Sequence, residues 1–160
     1  MINIRAKLES LQENVDKEIE ALYQKHASEC AMLNKSMIRD GINTSTDIHG
    51  KRFEPILGAP TWITTKSRKR RGNPEQPPLK ETGNLYSGVV KRKNFIFNTV
   101  DYGDLHNEGF THRSGTRVAQ REYFGTPDGF FESPEYKMLV KKLDMELENL
   151  FKKRKRKKRI

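Results

Sequence analysis

The 160-residue chain contains a single cysteine, Cys30. An intramolecular disulfide and a cysteine-rich zinc module are therefore excluded, which fits a reducing compartment. Long apolar runs are also missing, because no window approaches about 18 continuous apolar residues and the N-terminal "MINIRAKLES" has no signal-peptide core. We therefore expect a soluble protein that is neither secreted nor membrane-spanning. No GxxxxGK or GxSxG motif occurs, so the common phosphate-binding loop and nucleophile elbow are excluded as well.

Positive charge is abundant but confined to two runs. The net charge is +10, yet Lys152–Arg159 supplies eight positive charges and Lys66–Arg71 five, so the rest of the chain carries −3. Dense basic runs favour contact with nucleic acid, because Lys and Arg displace counterions from phosphates. The alternative is that the runs are solvated and only aid solubility. The candidate nucleic-acid-binding or partner-binding residues are Lys66, Arg68, Lys69, Arg70, Arg71, Lys152, Lys153, Arg154, Lys155, Arg156, Lys157, Lys158 and Arg159.

The N-terminal segment has the clearest periodicity. Apolar or semi-apolar residues recur every three or four positions from Ile4 to Met37, which predicts an amphipathic helix over about residues 3–40. Gly41 then fits the left-handed position after the last turn. His26 and Cys30 are four residues apart and could place two metal ligands on one helical face. Both fall on the apolar stripe, however, so we predict that they are core positions.

The remainder of the chain predicts an arm, a hairpin and a second helix. Residues 41–81 are rich in Gly, Thr, Asp and Pro without periodicity, which indicates an extended arm. "LYSGVV" and "NFIFNTV" around "KRKN" predict a β-hairpin with Phe95 and Phe97 on one face and Ile96 on the other. Ser133 and the proline after it are typical of the start of a C-terminal amphipathic helix that runs into the basic tail.

These elements together predict an α+β fold. We expect a long N-terminal helix, an extended basic arm, a small antiparallel β-sheet and a C-terminal amphipathic helix, with both helices on one face of the sheet. Residues 1–151 are predicted to form a single domain that includes the arm. Residues 152–160 are predicted to be a basic C-terminal tail.

The stretch "DYGDLHNEGFTHRSGTRVAQREYFG", residues 101–125, is rich in groups that bind metals or transfer protons. His106, Glu108 and His112 lie close together in it, and a histidine base beside a divalent cation can hydrolyse phosphodiesters. The paired Cys or Asp/His framework that would hold the cation is missing, however. Glycines and aromatic residues in the same stretch predict turns anchored to the core. We favour this structural interpretation, and predict no catalytic residue, metal ligand or cofactor.

Five short motifs follow one another in a fixed order: "GKRFEP", "PTW", "PLKETGNL", "YGDLHNEG" and "REYFG". In this order they resemble the phage virion morphogenesis and tail-completion family, that of the phage Mu G protein and the phage P2 S protein. The resemblance covers about residues 50–150. Gly103 departs from it, because the family more often has alanine there. The motif positions include Thr61, Trp62, Leu79, Thr82, Gly83, Leu85, Tyr102, His106, Gly109, Arg121, Phe124 and Gly125.

The resemblance implies a non-enzymatic structural virion protein that completes the tail or connects head and tail at the neck. It also implies assembly in the cytoplasm of the bacterial host as a homo-oligomeric ring, a hexamer or dodecamer. Its partners would be neighbouring tail and head–tail connector proteins, and neither a membrane nor a cofactor is implied. We predict in addition that Lys66–Arg71 or Lys152–Arg159 faces the phage DNA end or an acidic neighbouring ring. The residues alone leave two alternatives: a nucleic-acid-binding protein that uses the basic arm and tail, and a metal-dependent nuclease.

Overall fold

The computed structural model describes residues 4–53, 83–111, 115 and 117–157, with side chains from Gln12 to Arg154. The architecture is α+β, as predicted. Residues 54–82, most of the predicted arm, lie outside the described residues. Within the described ranges, no helix has the length and apolar character that crossing a lipid bilayer requires. The elements in chain order are α1 (Ile4–Thr44), α2 (Asn84–Gly88), β1 (Val89–Arg92), β2 (Phe95–Asn98), α3 (Gly103–Glu108), β3 (Phe110–Thr111), β4 (Arg117–Val118) and α4 (Pro134–Lys157).

Helix α1 continues beyond its predicted end because its C-terminal cap lies later in the chain. Ser45 adopts the left-handed conformation with φ 58°, and the Thr46 N–H donates to the Gly41 carbonyl at 2.9 Å. This is the long hydrogen bond of a Schellman cap, with Ser45 in the left-handed position. Gly41 is helical, and a Cβ there would lie 3.1 Å from the Thr46 carbonyl oxygen. The predicted role of Gly41 was therefore wrong. Gly41 does not end the helix; its lack of a side chain leaves room for the backbone of Thr46.

The hairpin β1–β2 is shorter than predicted, since "NLYSG" forms the helical turn α2. The two strands pair antiparallel with Val90 opposite Phe97 and Lys91 opposite Ile96. Phe95 and Phe97 therefore share one face and Ile96 lies on the other, as predicted. The face that carries Ile96 packs on α1, where the Lys91 ammonium donates to the Ser28 hydroxyl at 2.6 Å. The hairpin is thus covered on one side by α1.

The buried core lies where the C-terminal end of α1 meets the hairpin. Residues 121–125, in the loop between β4 and α4, also contribute to this core. We call this segment the strap. Its central residue, Tyr123, is 1% exposed. The cluster of buried side chains consists of Ile38, Ile42, Leu85, Val89 and Tyr123.

Helix α4 lies antiparallel along α1 rather than on the sheet, so the predicted placement of both helices on the sheet was wrong. His26 is 4% exposed in this helix–helix contact, with its Nε2 atom 3.3 Å from Glu146, and it is therefore a core position as predicted. Cys30 is half-buried nearby, and burial raises the pKa of its thiol. Three ion pairs follow the contact: Glu18–Arg154 at 2.9 Å, Lys25–Glu146 at 2.8 Å and Glu29–Lys142 at 2.7 Å.

The start of α4 is as predicted. The Tyr136 N–H donates to the Ser133 hydroxyl at 3.2 Å, so Ser133 caps the first turn. The helix then runs through Lys157. Residues 152–157 of the second basic run are therefore helical, and the division into a domain and a tail stays a prediction.

Candidate functional site

Helix α3 holds His106 between two aromatic rings. The imidazole meets Tyr102 edge-on with 5.9 Å between ring centroids, and Phe110 in the same way at 5.8 Å. The His106 carbonyl accepts the Arg121 N–H at 2.8 Å. His106 therefore joins α3 to the strap, and the "YGDLHNEG" motif forms a packed corner beside the core.

The electrostatics of His106 suit a structural group. Burial lowers the pKa of His106, and the positive charge of Arg121 lowers it further. The imidazole is therefore neutral at neutral pH. Glu108 is exposed and follows His106 by two positions on a helix, where residues two apart point in nearly opposite directions. The two side chains accordingly do not form the acid/base pair that their spacing in the sequence suggested.

A metal site was the other interpretation of this stretch. Within residues 4–53, 83–111 and 117–157, no three His, Cys, Asp or Glu side chains are arranged to hold a metal ion. The Nδ1 atom of His106 is buried and finds no hydrogen-bond partner among these residues. His112 lies outside them. The described part of the stretch therefore offers packing contacts rather than a ligand set.

The strap connects this corner to the rest of the core. Arg121 is 2% exposed, and the Asn107 side-chain oxygen accepts the Phe124 N–H at 3.1 Å. The Tyr123 hydroxyl contacts the side-chain amide of Asn98, and burial raises the pKa of Tyr123 to about 12. Arg121 and Phe124, two of the motif positions, are therefore part of the structural core.

Gly103 lies too close to two neighbouring side chains to carry a side chain of its own. A Cβ at this position would overlap the Asn98 amide and the Tyr123 hydroxyl. Both groups are held in place by their contact with each other. An alanine would require a smaller or displaced side chain at position 98, because a packed interior has no room for an extra methyl group. In this chain Gly103 and Asn98 are thus a matched pair.

A second charged cluster, centred on His49, was not predicted. Its Nδ1 atom lies 2.9 Å from an Asp128 carboxylate oxygen, and its Nε2 atom lies 3.1 Å from Glu122. The hydrogen bonds to Asp128 and Glu122 raise the pKa of His49. The Ile48 N–H donates to the Glu122 carbonyl at 2.8 Å in the same place. The His49 side chain therefore holds the loop after α1 against the strap, across more than 70 residues of sequence.

We expect the two histidines to titrate on opposite sides of pH 6.5, His49 above it and His106 below it. Because the folded-state pKa of His49 is raised, its ion pairs stabilise the fold fully below pH 6.5. That stabilisation is lost as the pH rises through the folded-state pKa. NMR titration of the imidazole carbon-bound protons measures both values. Asp128→Asn should shift the His49 titration to lower pH and leave His106 unchanged, whereas a higher midpoint for His106 than for His49 would contradict the assignment.

The predicted basic residues divide between described and undescribed parts of the chain. Lys152 pairs with Glu148 at 2.8 Å and Arg154 pairs with Glu18 at 2.9 Å, while Lys153 is exposed. Part of the run is therefore engaged within the domain. The side chains of the other predicted binding residues lie outside the described residues: Lys66, Arg68, Lys69, Arg70, Arg71, Lys155, Arg156, Lys157, Lys158 and Arg159.

The motif positions that the structure describes have packing or backbone roles. Gly83 caps α2 in the left-handed conformation with φ 74°, and Leu85 is 4% exposed in the core. Four other motif positions, Thr61, Trp62, Leu79 and Thr82, lie outside the described residues. Comparison of the chain with protein-family models, with curated proteins and with solved structures finds no match.

Proposed function

We propose that this chain is a structural virion protein of a tailed phage, a tail-completion or head–tail connector (neck) component that forms a homo-oligomeric ring. The ordered motifs are the first support for the proposal. The second support is the structural role of the motif residues. Leu85, His106, Arg121 and Phe124 all contribute packing contacts, which is the role expected of a structural signature rather than of a catalytic one.

The observation that carries the proposal is the excess of exposed over buried apolar side chains. Among the described residues, eight hydrophobic side chains are buried, whereas eleven large ones are at least 39% exposed. Several are adjacent, such as Phe95 and Phe97 with 6.4 Å between ring centroids. Grouped apolar exposure marks contact with other proteins. A subunit of a ring covers such surface with its neighbours.

The distribution of charge also supports a subunit that meets a polyanion. The sequence holds two dense basic runs. Residues 152–157 of the second run extend α4 at the end where Arg154 pairs with Glu18, away from the core cluster. A ring that closes around the end of the phage DNA would place such segments against phosphates or against an acidic neighbouring ring. The body of the subunit would then supply the protein–protein contacts.

We expect the purified full-length chain to form one closed species with a mass several times that of the monomer. The exposed apolar side chains supply the reason, because their burial between copies favours association. Light scattering after gel filtration measures the mass, and negative-stain electron microscopy shows the ring. Immunogold labelling should place the chain at the neck or tail end of virions. A chain that stays monomeric at high micromolar concentration would contradict the proposal.

The same preparations separate the proposal from the two alternatives. A monomer that binds duplex DNA with steep salt dependence would support a nucleic-acid-binding protein instead. A nuclease would cleave phosphodiesters, and His106→Ala would abolish the cleavage without changing the oligomeric mass. Both outcomes are measured on the protein that is used for light scattering.

A further inference from the structure

The outward face of the hairpin is apolar at its centre and basic at its end. Val90 and Arg92 stand opposite Phe97 and Phe95, so these four side chains share the face that points away from α1. Phe95 is 66% exposed and Phe97 is 44% exposed. Arg92 and Lys93, the first turn residue, are also exposed. We call these five residues the hairpin face.

A second surface is apolar at its centre and acidic around it. Asp104, Leu105 and Glu108 have the spacing that places residues on one side of a helix, and Asp101 lies in the turn two residues before α3. All four are exposed. Leu105 is 50% exposed and the neighbouring Tyr102 is 39% exposed. The opposite side of α3 packs inward through Gly103 and His106. We call these five exposed residues the helix face.

An open cleft adjoins the helix face. It has a volume of about 400 Å³, and two residues of the helix face, Asp101 and Tyr102, form part of its wall. Small and short side chains line the rest of it, so a projecting ring can enter. The other lining residues are Asn84, Ser87, Gly88, Thr99 and Val100.

The two faces lie on different sides of the hairpin. The side chain of Asn98 points to the α1 side, because Asn98 pairs with the buried Val89. Gly103 of α3 packs against that same Asn98 side chain. Helix α3 therefore lies on the α1 side of the hairpin, whereas Phe95 and Phe97 lie on the outward side. One copy can thus present the hairpin face to one neighbour and the helix face to another.

We propose that the hairpin face of one copy docks on the helix face and cleft of the next copy, in a head-to-tail contact. This inference rests on the proposed function, because it requires that the chain self-associates. A second copy fits the helix face because the two faces are complementary. The positive charges of Arg92 and Lys93 would meet the acidic residues of the helix face. A phenylalanine ring of the hairpin face would enter the cleft. Two different faces that bind each other form a heterologous interface, which yields a ring when the rotation closes and a filament when it does not.

Cysteine crosslinking tests the pairing of the two faces. In a Cys30→Ser background, a chain with Val90→Cys and Leu105→Cys should give a ladder of dimers, trimers and higher species with a short bis-maleimide. A mixture of the two single-cysteine chains should stop at dimers, and each alone should remain monomeric on a denaturing gel. Val90→Cys with Met138→Cys, an exposed position on α4, is the matched control and should give no ladder.

Charge reversal supplies an independent measurement. Arg92→Glu and Asp104→Arg should each weaken assembly at least tenfold, because like charges then face each other across the interface, and the combined variant should recover most of it. The exposed pair Lys141→Glu and Asp144→Arg on α4 is the control and should leave assembly unchanged. Equal weakening by the control pair would overturn the inference.

The outcomes distinguish this inference from the proposed function. If the wild-type chain is monomeric, both fail. If it forms an oligomer but Val90→Cys crosslinks to itself, the contact is between like faces and the inference alone is overturned. If Arg92→Glu leaves the oligomer intact but abolishes binding of a single-stranded oligonucleotide, the hairpin face is a nucleic-acid surface and the inference is again overturned.

Discussion

Replacing Ile42 by alanine is expected to lower the free energy of unfolding by about 4 kcal/mol. Ile42 is fully buried and packs with Ile38, Leu85, Val89 and Tyr123 at the junction of α1, the hairpin and the strap. Removing three carbon atoms there forfeits their transfer from water and leaves a cavity that the surrounding elements cannot close. The loss would be a large fraction of the stability of a domain this small. Urea unfolding followed by circular dichroism measures it, at one protein concentration because assembly shifts the midpoint.

The matched control is Ile19→Ala on the same helix. Ile19 is half-buried and lies far along α1 from the core cluster, so its loss is expected to be about 1 kcal/mol. The comparison holds residue type and helix propensity constant and varies only burial. Equal losses at the two positions would show that stability is spread along α1, contrary to a core concentrated at its C-terminal end.

The helical period in the sequence was sufficient to predict α1 but not the part of it that is buried. The predicted stripe ended at Met37, yet the two most buried isoleucines of the helix are Ile38 and Ile42. Periodicity identifies a face of a helix, whereas burial depends on what covers that face. The hairpin contacts α1 from the middle of the helix onward, but Leu85, Val89 and Tyr123 bury it most deeply at Ile38 and Ile42. The cap that extends α1 to those turns depends on Ser45, a residue with no strong preference for the left-handed conformation.

Only the local features of the candidate site could be predicted from the sequence. The motif "YGDLHNEG" indicated a packed corner, and the facing of Phe95, Phe97 and Ile96 followed from strand alternation. The cluster of His49, Glu122 and Asp128 was not predictable, because its members are distant in sequence and follow no local pattern. The pairing of the hairpin face with the helix face is likewise a property of the folded surface. The basic hairpin face and the acidic helix face exist as surfaces only after folding has placed their residues side by side.

Replacing Gly109 by alanine is expected to lower the free energy of unfolding by about 3 kcal/mol. Gly109 ends α3 with φ 78° and ψ 155°, and its N–H donates to the Leu105 carbonyl at 2.9 Å. This backbone conformation is essentially restricted to glycine. A Cβ would also lie 2.8 Å from the backbone nitrogen of Gln120. That nitrogen cannot retreat freely, because the next residue, Arg121, is tied to His106 by a backbone hydrogen bond.

Gly129→Ala is the comparison variant, a glycine with positive φ and no close neighbour. Gly129 has φ 74° but no atom within 4 Å of the position of a Cβ, so only backbone strain applies, at about 1 kcal/mol. Chemical unfolding of both variants should therefore differ by about 2 kcal/mol, and equal losses would rule out the close approach at Gln120. Gly109→Ala should also weaken assembly, because Gly109 fixes the end of α3 and thereby the position of the helix face. Gly129→Ala should assemble like the wild-type chain. An equal loss of assembly in both variants would show that the position of α3 does not control the interface.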